Sequence, residues 1–181
     1  MASYKRHSIP TIILHWLVAL GMIGTATLGI LVTSMERGPD QHTLMNIHKA
    51  LGVLTLAFAV VRVIWRTREG KLESLGNMPR WQQIAAASTH GLLLFATLLI
   101  PISGLMISIG LGYSVTVFGL PFIPQTDLQI EWLSDLGYTL HGAAKYVLIA
   151  VVVAHAMAAI KHEVVNKDGT TLRMLGFGNK Y

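Results

Sequence analysis

The segment LHGAAKYVLIAVVVAHAMAAIKH, residues 140–162, decides the fold. One charge, Lys145, precedes Lys161 in it, and it brings His141 and His155 into a single apolar run. The fourteen residues from His141 to His155 rise about 21 Å as α-helix and return to nearly the same face. Two imidazoles then stand on one side of one helix, near opposite leaflets of a bilayer. Two redox cofactors stacked across a membrane need that arrangement, and few other functions do.

The whole chain reads the same way. Its 181 residues are 52% hydrophobic and 13% charged, with a mean hydropathy of +0.54, where soluble domains hold about 25% charged residues. This is the composition of a membrane protein, and the length fits one domain over residues 1–181, a small bundle of spans. The absence of cysteine excludes disulfides, thiolate zinc sites, cysteine-ligated iron–sulfur clusters and covalently attached c-type haem. Any haem must be held by His or Met. Membrane topology and headgroup contact account for the net charge of +5, without a nucleic-acid partner.

Four spans are expected at about 9–33, 44–65, 83–109 and 136–160. No charged residue lies between Ser8 and Met35. That run is longer than the apolar core of a signal peptide and no A-x-A site follows it, so it reads as a retained span. Pro101 is expected to kink the third span. Gly110 to Pro124, uncharged and rich in Gly and Pro, reads as an apolar loop dipping along the interface. Lys5, Arg6, Arg66, Arg68, Lys71, Arg80, Lys161, Lys167, Arg173 and Lys180 flank one side of the spans, and Arg37 alone flanks the other. The positive-inside rule then places both termini in the cytoplasm.

This orientation gives each histidine a depth. His15, His90 and His155 fall in the cytoplasmic half, His48 and His141 in the outer half, and His162 at or just beyond the inner end. Each layer can supply two axial ligands to a haem from facing helices. A single histidine in a span equally serves an interhelical hydrogen bond. Five in two layers point to cofactor ligation, with a metal or proton pathway as the competing class. Gly21, Gly24, Gly29, Gly52, Gly91, Gly104 and Gly142 give room for a porphyrin or for close helix packing. Buried propionates need cations. Arg62 suits an inner haem, and Lys49 or Lys145 an outer one; snorkelling to the interface is the plain alternative.

The stretches ILHWLVAL around His15, NIHKALG around His48, VVRVIWR around Arg62, STHGLLLFATLLIPISGLM around His90, and residues 140–175 with His141, His155 and His162 together resemble the bacterial cytochrome b561 family over nearly the whole chain. The cytochrome b subunits of formate dehydrogenases and hydrogenases are similar more distantly. The resemblance implies an all-α membrane protein, a four-transmembrane-helix bundle with two b haems inside. It implies the pairs His15 with His155 for the inner haem and His48 with His141 for the outer one. Depth allows the same pairs and does not by itself exclude His90 as an inner ligand. The resemblance also leaves His90 and His162 as candidates for a quinone site.

Some family members look like superoxide oxidases, passing electrons from superoxide on the outer side to ubiquinone. An anionic substrate is steered by positive potential, yet the outer loops carry Glu36, Asp40, Asp127, Glu131 and Asp135 against Arg37. Lys49 and Lys145 could still form a local positive funnel. The expected functions are therefore a superoxide:ubiquinone oxidoreductase, or an electron-transfer cytochrome b serving a separate dehydrogenase or periplasmic redox protein. A non-haem membrane protein is the third class. Membrane lipids and quinone are the other expected partners.

Overall fold

The computed structural model describes residues 7–70 and 78–177; Lys5, Arg6, Lys71 and Lys180 of the topology argument lie outside them. Four long helices, α1 (Ile9–Ser34), α2 (Pro39–Glu69), α3 (Arg80–Gly110) and α4 (Glu131–Lys161), form an antiparallel bundle, and each is long and apolar enough to cross a membrane. Ser8 caps α1, its hydroxyl accepting from the Thr11 N–H at 3.4 Å, with Pro10 in the first turn. The helices overrun the expected spans: α2 starts at Pro39 and ends at Glu69, and α4 starts at Glu131. Charged residues mark the edge of the hydrocarbon layer, not the end of backbone hydrogen bonding. Pro101 lies inside an unbroken α3.

The segment expected as an irregular loop is a β-hairpin, β1 (Val115–Val117) paired with β2 (Leu120–Ile123). Phe118 and Gly119 turn the chain with φ of 52° and 78°, the left-handed pair that matches strand twist in two-residue turns. Val115 is fully buried, and the hairpin lies against α2. Ile130 N–H donates to the Gly110 carbonyl at 2.8 Å and Thr126 N–H to that of Gly112 at 3.1 Å, closing the loop over this end of the bundle.

Helix α1 packs on α2, α3 packs on α4, and the two pairs meet through α2 and α3. The buried apolar core is a thin layer of Val18, Met22, Ala59, Ala96 and Leu148. Large apolar side chains point outward instead: Leu20 is 63% exposed, Phe95 60% and Met157 64%. Lipid is the solvent for such a surface. Small residues set the closest helix approach, as expected where lipid gives no hydrophobic drive for association. A Cβ on Gly137 of α4 would lie 2.9 Å from the Ser103 carbonyl oxygen and the Ile107 nitrogen of α3.

After α4 comes a π-helical turn, His162–Asn166, and then a short helix, α5 (Thr170–Met174). The Trp16 indole of α1 donates to the Met174 carbonyl at 2.9 Å, and the Thr171 hydroxyl to that of Ala159 at 2.9 Å. Close by, the Trp65 indole donates to the Thr11 hydroxyl at 3.0 Å, which in turn donates to Glu69. The start of α1, the end of α2 and helix α5 are thereby tied together at the end of the bundle opposite the hairpin.

Two outcomes follow from this packing. Gly137→Val should destabilise the α3–α4 pair by roughly 1–3 kcal/mol, read as a lower thermal midpoint in detergent. Burial, and after it the charge of Arg173, holds the His7 imidazole below its ordinary value of 6.5. A histidine kept neutral by the fold stabilises it above that pH and loses the contribution as the pH falls through it. The wild-type thermal midpoint should therefore drop more than that of His7→Gln between pH values above and below 6.5; equal drops would refute this role for His7.

Candidate functional site

Five histidines within the spans form two layers. At the hairpin end, His48 of α2 and His141 of α4 face each other with ring centroids 6.2 Å apart and planes at 80°. At the opposite end, nearer α5, His15 of α1 and His155 of α4 lie 6.3 Å apart at 59°. His90 of α3 stands edge-on to His155 at 5.4 Å.

The hairpin-side rings share one seat. His48 Nδ1 lies 3.0 Å from the Thr25 carbonyl oxygen of α1. His141 Nδ1 lies 3.0 Å from the Ile100 carbonyl oxygen and 3.0 Å from the Ser103 hydroxyl of α3. In each case the residue four positions after that carbonyl is glycine, and the ring rests on it. A Cβ on Gly29 would meet His48 Cε1 at 3.1 Å, and one on Gly104 would meet His141 Cε1 at 3.4 Å. A carbonyl accepts only, so Nδ1 carries the proton and Nε2 keeps its lone pair as a ligand atom. Such a backbone bond is the usual means of orienting a metal-bound imidazole.

The other layer is built differently. Arg62 Nη2 lies 3.0 Å from His15 Nδ1. A guanidinium donates only, so Nδ1 accepts here and the ring proton resides on Nε2. The remaining cations also have neighbours. Lys49 Nζ donates to the Ser114 carbonyl at 3.4 Å and sits 5.3 Å above the Tyr113 ring, under the start of the hairpin. Lys145 Nζ lies 4.9 Å from the Tyr146 ring centroid. His162, two helical turns beyond His155, pairs with Asp168 at 2.6 Å.

Between the layers lies the apolar core, with Leu148 seven residues from each of His141 and His155. A cavity of about 360 Å³ opens between the terminus-side ends of α2 and α3, lined by Val63, Arg66, Thr67, Gly70 and Leu94. Leu94 is one turn from His90.

The donor set can be tested against a haem. Metal–imidazole bonds of about 2 Å to Nε2 on both sides set ring centroids about 6 Å apart, and both facing pairs have this spacing. Among the described residues no three His, Asp or Glu side chains cluster to hold a bare ion. Facing pairs suit an iron whose equatorial positions a macrocycle already fills. A Cβ on Gly24, Gly52, Gly91 or Gly142 would meet nothing within 4 Å, so space is open at these positions, Gly52 among them one turn from His48. Gly21, whose Cβ would meet Thr55 Oγ1 at 2.5 Å, instead serves helix packing. These residues fit a b-type haem.

The sequence left two features of the site unread. The ring seats depend on backbone carbonyls, and their trace is a glycine four residues after the residue whose carbonyl accepts, in TATLG and IPISG. The pairing of Asp168 with His162 leaves a trace only as a histidine followed by DG.

Known proteins agree with this reading. The model of the prokaryotic cytochrome b561 family matches residues 6–177. Cytochrome b561 homolog 2 of Escherichia coli (strain K12) is 33% identical over 176 residues, which cover 95% of this chain and 92% of that protein. Cytochrome b561 homolog 1 of the same organism is 27% identical over 182 residues, 94% of this chain and 97% of that one. A probable superoxide oxidase, CybB of Yersinia pestis, is 27% identical over 173 residues, 95% of this chain and 97% of that one. The family match over nearly the whole chain, on four spans with facing histidines, makes this chain a member of the prokaryotic cytochrome b561 family, membrane electron-transfer proteins with b-type haem.

Proposed function

We propose that this chain carries electrons across a bacterial inner membrane, between a donor on the periplasmic side and the quinone pool, through two b haems. The observation that carries the reading is the pair of facing imidazoles in each of two layers, 6.2 and 6.3 Å between centroids. His48 and His141 would hold the outer haem, and His15 and His155 the inner one, with both termini in the cytoplasm. When bound, each haem would supply a one-electron couple, held by its pair of histidines. The seats on Gly29 and Gly104 fix the outer rings in the ligating tautomer. A propionate drawn to Arg62 would release His15 Nδ1 and free its tautomer for the inner site. Lys49 and Lys145 remain the propionate candidates at the outer haem. Ubiquinone would accept electrons on the inner side, where Leu94, one turn from His90, lines the α2–α3 cavity and His162 sits beyond His155.

Two donors fit. The relationship to a probable superoxide oxidase supports superoxide:ubiquinone oxidoreductase activity. The hairpin-side loops support a second reading, an electron-transfer subunit for a basic redox partner. They carry five carboxylates against Arg37, and Lys49 is tucked beneath the hairpin. Superoxide should reduce the haems of the purified protein directly in the first case and fail to do so in the second.

Reduced-minus-oxidised spectra with haem quantified per chain should give two b haems; a colourless protein would sink the proposal. His48→Ala and His141→Ala should each lose the same single haem and keep the other, and retention of both would refute the pairing. Gly52→Phe places a ring one turn from His48, where the wild type has open space. It should lower occupancy of the outer haem while leaving the inner one and the helical content unchanged.

A further inference from the structure

The segment after α4 brings together a pair that electron transfer alone does not use. His162 Nδ1 and Asp168 Oδ2 are 2.6 Å apart, with the two side chains 18% and 16% exposed. An α-helix carries a residue six positions on about 9 Å along its axis. Here the chain turns back instead. Residues His162–Asn166 widen into a π-helix, a form often found at functional sites. Lys167 takes a left-handed φ of 51° and Gly169 one of 78°. A left-handed lysine persists only where its surroundings hold it.

Asp168 is anchored at both oxygens. Oδ1 accepts from the Thr170 N–H at 2.9 Å, and Oδ2 faces His162. Partial burial alone would raise its pKa, but hydrogen bonds from Thr170 and His162 outweigh this and hold the carboxyl below its ordinary value. It is therefore a carboxylate near neutrality. Asn166 Nδ2 lies 3.2 Å from His162 Nδ1 and 3.5 Å from Asp168 Oδ2. The carboxylate is nearer and charged, so the Nδ1 proton goes to Asp168 and the asparagine amide donates to the carboxylate. Lys161, Glu163 and Lys167 flank the pair on its own segment, and Arg173 lies buried on α5.

His162 follows His155 by seven residues, about 10 Å further along the helix and on nearly the same face. It stands at the end of the line that the proposed inner haem ligand begins.

We propose that His162 and Asp168 form a proton-delivery dyad for quinone reduction, with Asp168 as the positioning residue; this rests on the reading that quinone is the inner-side acceptor. Reducing one quinone to quinol takes two electrons, supplied by the membrane chain, and two protons. For each proton the His162 Nε2–H bond breaks and a quinone O–H bond forms. The ring is left neutral, its Nδ1–H still donated to the Asp168 carboxylate, and a proton from water on the cytoplasmic side restores Nε2–H. Asp168, by accepting the Nδ1–H, fixes the ring's orientation and leaves Nε2 as the atom that gives up and regains the transferred proton.

The test uses the haem-loaded protein, reduced without oxygen and mixed with a short-chain ubiquinone or with ferricyanide, which takes electrons without protons. Asp168→Asn should slow reoxidation by quinone roughly 10–100-fold through kcat, with KM and the ferricyanide rate unchanged. Asp168→Glu should restore most of the rate, and His162→Gln should match Asp168→Asn. Independently of turnover, ¹⁵N NMR above neutral pH should show His162 as the Nδ1–H tautomer, shifting toward Nε2–H in Asp168→Asn. An unchanged tautomer, a wild-type quinone rate in Asp168→Asn, or equal slowing with ferricyanide would overturn the dyad while the quinone reading stands. Wild-type haems that ubiquinone fails to reoxidise would overturn both.

Discussion

An imidazole inside a bilayer has two nitrogens and no water for either. One must be satisfied by protein before the other can be offered to a ligand. At the hairpin end the answer is a backbone carbonyl with a glycine one turn further along. Thr25 with Gly29 seats His48, and Ile100 with Gly104 seats His141. Each seat lies on the partner within a helix pair, α1 for α2 and α3 for α4. Holding the rings thus also holds the pairs together, and facing the rings sets how the pairs meet.

The two layers differ in what holds the ring. A backbone carbonyl is fixed and permits one tautomer. A guanidinium is mobile and, bonded to His15 as it is here, enforces the other. One layer is preorganised for Nε2 ligation, while the other couples its ring to a cation with a second use. Ligation through Nε2 at the second layer would therefore need a rearrangement that the first does not.

The spans were legible because charge is costly in hydrocarbon: the empty run from Ser8 to Met35 and the lone Lys145 in the fourth segment leave little choice. Histidine depth was legible because helical rise is constant, so fourteen residues place His141 and His155 in different leaflets. The ring partners were not, because a carbonyl has no letter of its own. The hairpin was missed because Phe118-Gly119 between two uncharged triplets looks like any turn-rich loop; its register comes from burial of Val115 against α2, a tertiary contact. The helices run beyond the expected spans because backbone bonding continues past the last apolar residue. The return of Asp168 to His162 needs a π-turn and a left-handed lysine, and neither has a sequence rule.

The layer of Val18, Met22, Ala59, Ala96 and Leu148 between the histidine pairs holds no group that can take up or release a proton. On the proposed path, an electron passing from one pair to the other would cross the middle of the membrane without a compensating ion. Its passage is electrical work, roughly 2.3 kcal/mol for each 100 mV over a full crossing. The membrane potential itself then becomes a brake or a drive on turnover, according to the direction in which the electron moves.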